Sequence, residues 1–345
     1  MGTLAAVILA AGQGKRMKSK IPKVLHTLAG RPLLQYVVDL ARALEANPIV
    51  IVVGREGEVV QAAIDADDLV FVTQEPQLGT GHAVTFASPI LQDHVGDVLI
   101  LYGDTPLLEK ETLCGLIEHH RAKGVNLTAL VAHVSNPPSY GRIIRDRQGR
   151  VLRIVEERDA TAEERGIQEV NAGTYCAVPQ ALFKALKALD RSNAKGEYYL
   201  TDVVADLALE GVETLQVSSH DEILGINDRV DLAKAEEIMQ WRIREYWMKE
   251  GVTFQAPSTT YLAADAQIGR DTVLGPQVIL RGHTRIGENC QIGTGCVIED
   301  STLEDGVTVK PHSVIIQSRV AYGAIIGPFA HLRRMPHSSR KSFLD

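Results

Sequence analysis

From Leu262 onward the sequence carries a rhythm that few folds can accommodate. A bulky aliphatic residue returns at every sixth position, through Ile268, Leu274, Leu280, Ile286, Ile292 and Ile298. A five-residue step leads to Leu303, Val309 and Ile315, and a second leads to Val320, Ile326 and Leu332. Gly269, Gly275, Gly287, Gly293 and Gly327 each directly follow a ladder residue. A unit this short buries its apolar side only against its neighbours, so a long series tells more than one copy. Amphipathic strands arising by chance are the bland alternative.

The ladder resembles the hexapeptide-repeat family of left-handed parallel β-helices. Triangular coils in that family turn apolar residues inward, and small residues or glycines permit tight corners. Upstream the pattern differs. LAAVILA at 4–10 is a short buried run ahead of glycines, IVIVV at 49–53 precedes Gly54, and DVLILYGD at 97–104 ends in an acid. Helical patterns such as PLLQYVVDLARALEA at 32–46 separate the runs, and more strand-like pieces fill 125–178. This alternation predicts an α/β, Rossmann-like domain with a mostly parallel sheet and helices on both faces. Ligands in such sheets lie beyond the carboxyl ends of the strands, where the Gly12–Gly14 loop and Asp104 both fall. Leu232, Ala235, Ile238, Trp241 and Trp247 mark a helical stretch, read as a linker or as a terminal helix on the first domain. The expected division is 1–230 for the α/β domain, 231–250 for a linker helix, 251–333 for the repeat domain and 334–345 for an atypical tail.

The 345 residues exceed one hydrophobic core, in line with two domains. A formal charge of -7 gives no sign of a general nucleic-acid surface, while a few local cations suffice for a phosphate pocket. No apolar run approaches the ~20 residues that cross a bilayer. The opening MGTLAAVILAAGQGKR places its cations after the apolar run, the reverse of a secretory signal. Ala6 stands where a myristoylation signal prefers Ser or Thr. Cys114, Cys176, Cys290 and Cys296 follow no disulfide or metal framework. On a triangular coil Cys290 and Cys296 fall on adjacent sides, which favours packing over zinc. A cytoplasmic location fits these features.

LAAGQGKRMKSKIPK joins a buried strand, a flexible turn and several cations. Gly12 and Gly14 allow backbone N–H groups to approach phosphate oxygens, Arg16 offers a planar fork of donors, and Lys23 a mobile charge. A basic solvent-facing loop is the alternative. Met17 replaces the third glycine of a dinucleotide fingerprint, and Arg16 follows Gly-Lys where a P-loop needs Ser or Thr. Dehydrogenase and kinase readings are therefore poor. Asp104 in GDTPL either holds magnesium beside a triphosphate or shapes a turn. Asn227 in GIND either adds a neutral oxygen to that ion or serves its own turn.

LAAGQGKRMKSKIPKVLHTLAG, EPQLGTGHA, YGDTPL, PPSYGRI, IVEERDA, EVNAG, KGEYYLTD and GINDR follow one another in this order. The ordered set resembles the bacterial family of bifunctional N-acetylglucosamine-1-phosphate uridylyltransferases/glucosamine-1-phosphate acetyltransferases, through about Arg333. That resemblance implies a first domain, 1–230, that joins UTP to N-acetylglucosamine 1-phosphate, giving UDP-N-acetylglucosamine and pyrophosphate. It makes Asp104 and Asn227 the ligands of Mg2+, and puts Ala11, Gly12, Gly14 and the catalytic Arg16 and Lys23 around the nucleotide. Gln74, Gly79 and Thr80 match its uracil-binding segment. Gly141, Glu156, Asn171, Tyr199 and Thr201 match the side that receives the sugar phosphate. An extended segment points Glu156 and Glu157 in different directions, and only Glu156 is matched. His82 helps to shape the nucleotide loop, with no acid–base role. The sugar phosphate is already anionic, so bringing two anions together is the task, and no covalent intermediate is expected.

The same resemblance implies a homotrimer. A pyrophosphorylase for another base or sugar, and a catalytically silent sensor, are the competing readings. Near the end, IGPFAHLR still follows the family, with Arg333 matching a sugar-phosphate arginine of the second, acetyl-transfer site. RMPHSSRKSFLD then departs from it, and Ser338 stands six residues after Leu332. A shortened or altered end is expected over a natural cap, and with it uridylyl transfer without acetyl transfer.

Overall fold

The computed structural model describes residues 3–64, 66–135, 137 and 139–333. It divides into two compact units, one reaching Ala233 without residues 27–31, the other formed by those residues and the chain from Lys234. The division falls inside the helix Arg229–Lys249.

In the first unit the strands are β1 (Thr3–Ala10), β2 (Ile49–Val53), β3 (Leu69–Thr73), β4 (Gly96–Tyr102), β5 (Leu127–His133), β6 (Arg142–Arg145), β7 (Val151–Val155), β8 (Glu169–Ala177) and β9 (Val212–Gln216). Their order is β9-β5-β8-β4-β1-β2-β3, with β6 and β7 pairing beside β8. The continuous apolar runs of β1 and β2 are buried on both faces. Alternate residues serve opposite layers. Ile8, Ile51, Leu99 and Leu101 meet Leu34, Val38, Leu113 and Leu116 from the helices Leu33–Ala43 and Lys110–Lys123. Val7, Val50 and Ile100 meet Ala83, Val84, Leu182 and Phe183 from Thr80–Thr85 and Pro179–Leu186. The Lys110–Lys123 helix stops at Gly124, whose left-handed φ of 61° lets its N–H cap the His120 carbonyl.

The pairings β1–β2, β1–β4, β2–β3 and β5–β9 are parallel, while β8 runs antiparallel to both β4 and β5. Register places Ala10 opposite Val53 and Leu9 opposite Tyr102. The loops leaving β1, β2 and β4 therefore open along one edge, as such crevices require.

The second unit is the expected left-handed parallel β-helix. Its ladder residues separate onto three parallel sheets: Leu274, Ile292 and Val309; Leu262, Leu280, Ile298 and Ile315; Ile268, Ile286, Leu303 and Val320. The five-residue steps keep this register, because each removes a residue from a corner. Left-handed backbone falls three residues beyond the ladder at Asp271, Gln277, Asn289, Gly295, Gly306, His312 and Gly323, and two beyond it after the sheet of Leu280, Ile298 and Ile315, at Gly282, Asp300 and Gln317.

That geometry corrects the role expected of the ladder-following glycines. Corners are made elsewhere, and these glycines allow the next coil to stack closely. A Cβ on Gly269 would lie 2.5 Å from the Glu288 backbone nitrogen, and one on Gly293 2.8 Å from that of Pro311. On the strand edge of Leu262, Gln240 donates to its carbonyl at 2.7 Å and accepts from its N–H at 3.0 Å. An open edge is thereby covered by a helix side chain. Cys290 and Cys296 lie in the coil interior, their thiols 3.3 Å from the Glu304 carbonyl and 3.2 Å from that of Lys310. Among the described residues no cluster of three His, Cys, Asp or Glu could hold a metal, and no helix is long and apolar enough to cross a membrane.

Gly269→Ala should therefore cost the repeat unit about 1–3 kcal/mol, the usual range for overpacking. Urea titration followed by circular dichroism should show an earlier transition; an unmoved midpoint would contradict the stacking role.

Candidate active site

Beyond β1 the chain turns through Ala11–Gly14. Gly14 has φ 57°, and a Cβ there would lie 2.8 Å from that of Lys23, so the turn excludes a side chain. Nothing lies within 4 Å of the corresponding point on Gly12, which faces open space. Lys23, just past Pro22, forms an ion pair with Asp104 in the loop after β4. Arg16 donates from Nη2 to Asn227 Oδ1 at 2.8 Å. Asn227 Nδ2 is spent on the Gly225 carbonyl at 3.1 Å, which turns Oδ1 toward the guanidinium. The Ile226 N–H donates to the Asp104 carbonyl at 2.9 Å and ties the two oxygen-bearing loops together.

Lys23, Asp104 and Asn227 border a cavity of about 500 Å³, with Ala11, Gly12, Gln74, Gly79 and Thr80 among its other lining residues; Gly14 and Arg16 do not line it, and Arg16 is joined to it through Asn227. A larger hollow of about 810 Å³ lies on the repeat unit, and none of the expected site residues lines it.

On the opposite wall Gln74 is buried, and its Nε2 lies 2.9 Å from the Gly79 carbonyl and 3.1 Å from His82 Nδ1. Gly79 has φ 116°, and a Cβ would press within 2.5 Å of the Tyr198 carbonyl. That carbonyl accepts from the Gly81 N–H at 2.9 Å, and Thr80 Oγ1 accepts from the Leu200 N–H at 3.0 Å. The loop carrying Gln74 is thus zipped to the loop carrying Tyr199 and Thr201. Burial lowers the pKa of His82 and favours its neutral ring.

The sugar-side residues gather around β7 and β8. Glu156 follows β7, and its carbonyl accepts from the N–H groups of Asp159 and Ala160, both at 3.0 Å. The backbone therefore turns at Glu156, so the extended segment expected for Glu156 and Glu157 is absent: the strand ends at Val155. Glu156 Oε1 accepts from Thr201 Oγ1 at 3.1 Å. Burial raises the Glu156 pKa, and the Thr201 hydrogen bond opposes the rise. Beside it Asp202 is pushed up to about 6, first by burial and then by the charge of Glu156. Burial and then Asp159 push the Tyr199 hydroxyl up to about 12.

Asn171 serves a bulge in β8. Its Nδ2 donates to Tyr175 Oη at 2.6 Å, its Oδ1 accepts from the Gly173 N–H at 3.1 Å, and its own N–H donates to the Gly141 carbonyl at 2.9 Å. Gly141 is small because a Cβ would come within 2.8 Å of Ile154. Arg333 belongs to the repeat unit and is exposed in its last described strand.

Sequence reasoning missed Gln77, Tyr102 and Gly173. Gln77 lines the cavity and donates to the Ala11 carbonyl. Tyr102 also lines it, against Gly173, whose φ of 79° belongs to the β8 bulge. Their only local signal is membership of the motifs EPQLG, YGD and VNAG.

The MobA-like NTP transferase domain matches residues 6–207, and the GMPPB C-terminal domain matches 257–338. The bifunctional protein GlmU of Shouchella clausii is 48% identical over 330 residues, covering 95% of this chain and 72% of that protein. The GlmU of Anaeromyxobacter dehalogenans is 47% identical over 335 residues, covering 96% and 68%. Among solved structures, a putative glucose-1-phosphate thymidylyltransferase from Bacillus anthracis matches with a TM-score of 0.55 at 19% identity, covering 68% of this chain and 95% of that one. A UDP-glucose pyrophosphorylase complexed with UDP-glucose matches with a TM-score of 0.56 at 17% identity, covering 70% and 100%; these two likenesses speak to the fold alone. With sequence identity near one half along nearly its whole length, and a nucleotidyltransferase domain in its first unit, this chain belongs to the GlmU family of bifunctional proteins as a nucleotidyltransferase.

Proposed function

We propose that the first unit transfers UMP from UTP to N-acetylglucosamine 1-phosphate, releasing pyrophosphate, with Mg2+ as cofactor. The gathering of Lys23, Asp104 and Asn227 on one glycine-lined cavity, with Arg16 held on Asn227, carries this reading. Such a site brings fixed positive charge to a dense anion and keeps two hard oxygens beside it.

Those oxygens suit magnesium. A carboxylate and an amide carbonyl are the donor types it takes, and it commonly uses few protein ligands together with substrate phosphates. Both oxygens hold a cationic side chain here, so each already sits where positive charge is favoured. Asp104 and Asn227 would hold the ion, which supplies charge compensation on the triphosphate.

The chain's own residues do the rest. An oxygen of the sugar phosphate bonds to the α-phosphorus while the bond to the departing pyrophosphate breaks. The attacking phosphate has its second pKa near about 6, so it needs no base to activate it. Backbone N–H groups of the Gly12–Gly14 turn, with Arg16 and Lys23, stabilise the developing charge and hold the reactants in line. Gln74, Gly79 and Thr80 form the base-facing wall. Glu156, oriented by Thr201, accepts from a sugar hydroxyl or the acetamido N–H, while Gly141, Asn171 and Tyr199 shape that end. Homotrimeric association and a cytoplasmic location belong to the same proposal, supported by family membership. The expected absence of acetyl transfer was drawn from the departure of the sequence after Arg333, and residues 334–345 lie outside the described residues.

Pyrophosphate release should be measured with a panel of nucleoside triphosphates and sugar 1-phosphates. UTP with N-acetylglucosamine 1-phosphate should be the preferred pair. Turnover with another pair but not this one would overturn the substrate assignment, and binding without turnover for every pair would favour a silent sensor.

The raised Asp202 pKa makes a separate prediction about stability. Between 3.8 and about 6 the folded protein holds a proton that the unfolded chain has released. Stability therefore falls as pH rises through that window, and the cost is complete above it. Asp202→Asn should melt higher than wild type near neutral pH in calorimetry. The advantage should shrink as pH falls and vanish below 3.8, whereas a pH-independent difference would contradict this origin.

A further inference from the structure

The Gln74 side chain has a polarity that its neighbours dictate. The Gly79 carbonyl can only accept, so the atom 2.9 Å away from it must be the amide nitrogen. The other hydrogen of that nitrogen points to His82 Nδ1 at 3.1 Å, which accepts only in the neutral tautomer protonated on Nε2. Burial lowers the His82 pKa and so maintains that form. Phe86, edge-on at 5.0 Å, and Tyr198, stacked at 6.0 Å, fix the ring's orientation.

Both amide hydrogens are then committed, and only Oε1 remains. Gln74 is 3% exposed and lines the cavity. Its Oε1 accepts no hydrogen bond among the described residues, yet it is not among the buried atoms sealed away without a partner. It is an acceptor presented to the cavity. A cavity group of fixed polarity discriminates strongly, because the wrong ligand leaves it unpaired or opposed.

On the reading of this cavity as a nucleotide site, we propose that His82 is a positioning residue for base selection. With the Gly79 carbonyl it locks the Gln74 amide so that only Oε1 faces the base. The locked amide selects a pyrimidine with a ring N3–H, such as uracil, over cytosine, whose N3 is an acceptor. The selective group is thus the orientation of the amide, and His82 sets it without touching the nucleotide.

The test compares kcat/KM for UTP and CTP, at saturating sugar phosphate and magnesium, in wild type, His82→Phe, His82→Asn and Gln74→Leu. Phenylalanine keeps the ring contacts and removes the acceptor, while asparagine can return an oxygen near the position of Nδ1. His82→Phe should reduce the UTP-to-CTP ratio by about tenfold or more, mainly through a higher KM for UTP, with kcat within about threefold of wild type. His82→Asn should recover most of the ratio. A merely structural role would lower both nucleotides in proportion, and that result would overturn the proposal, as would a failure of His82→Asn to recover selectivity. Gln74→Leu separates the two levels of the reading. If it abolishes the preference while His82→Phe keeps it, the lock alone falls; if Gln74→Leu also keeps it, this cavity does not read the base.

Discussion

The pairing of Lys23 with Asp104, beside that of Arg16 with Asn227, is the constraint around which the first unit is arranged. A largely buried carboxylate is costly unless a cation and further hydrogen bonds compensate it. Here the cation comes from the loop after β1 and the acid from the loop after β4, so adjacent parallel strands must deliver both at one sheet edge. The Ile226 N–H on the Asp104 carbonyl adds the third loop to that junction. Gly14 lets the first loop pass Lys23 closely enough for the contact to form. Sheet register, glycine placement and site charge are therefore one requirement seen at three scales.

Much of the framework was legible in the sequence for a physical reason. β1, β2 and β4 are covered on both faces, and such strands must be nearly continuous apolar runs. The repeat ladder was equally legible, because each coil has no interior except the one its neighbours complete. Pairing direction was not. β8 enters antiparallel between β4 and β5, and nothing local in its residues specifies a partner so distant in the chain. The ladder-following glycines gave the right fold with the wrong reason, since glycine suits both a tight corner and a close stack. The corners were marked instead by residues two or three positions past the ladder in left-handed backbone, among them Asp271, Gln277, Asn289 and His312 and a different set of glycines, Gly282, Gly295, Gly306 and Gly323.

The candidate site was legible only through the order of its motifs. Arg16 and Asn227 are 211 positions apart, and no spacing rule reaches that far. Gln74, Gly79 and Thr80 stood out within one segment, whereas the links of that segment to Tyr198 and Leu200 emerge only when a second loop meets it. Glu156 shows the opposite difficulty. Its motif was legible but its backbone was not, because the turn after β7 depends on N–H groups that fold back from Asp159 and Ala160.

The central claim is that Asp104 helps to seat magnesium where a triphosphate binds. Titration calorimetry of UTP, with and without magnesium, on wild type and Asp104→Asn tests it most directly. Magnesium should tighten UTP binding to wild type by about tenfold or more, about 1.4 kcal/mol. In Asp104→Asn that gain should largely disappear while the protein remains folded. An undiminished magnesium effect in the variant would contradict the account.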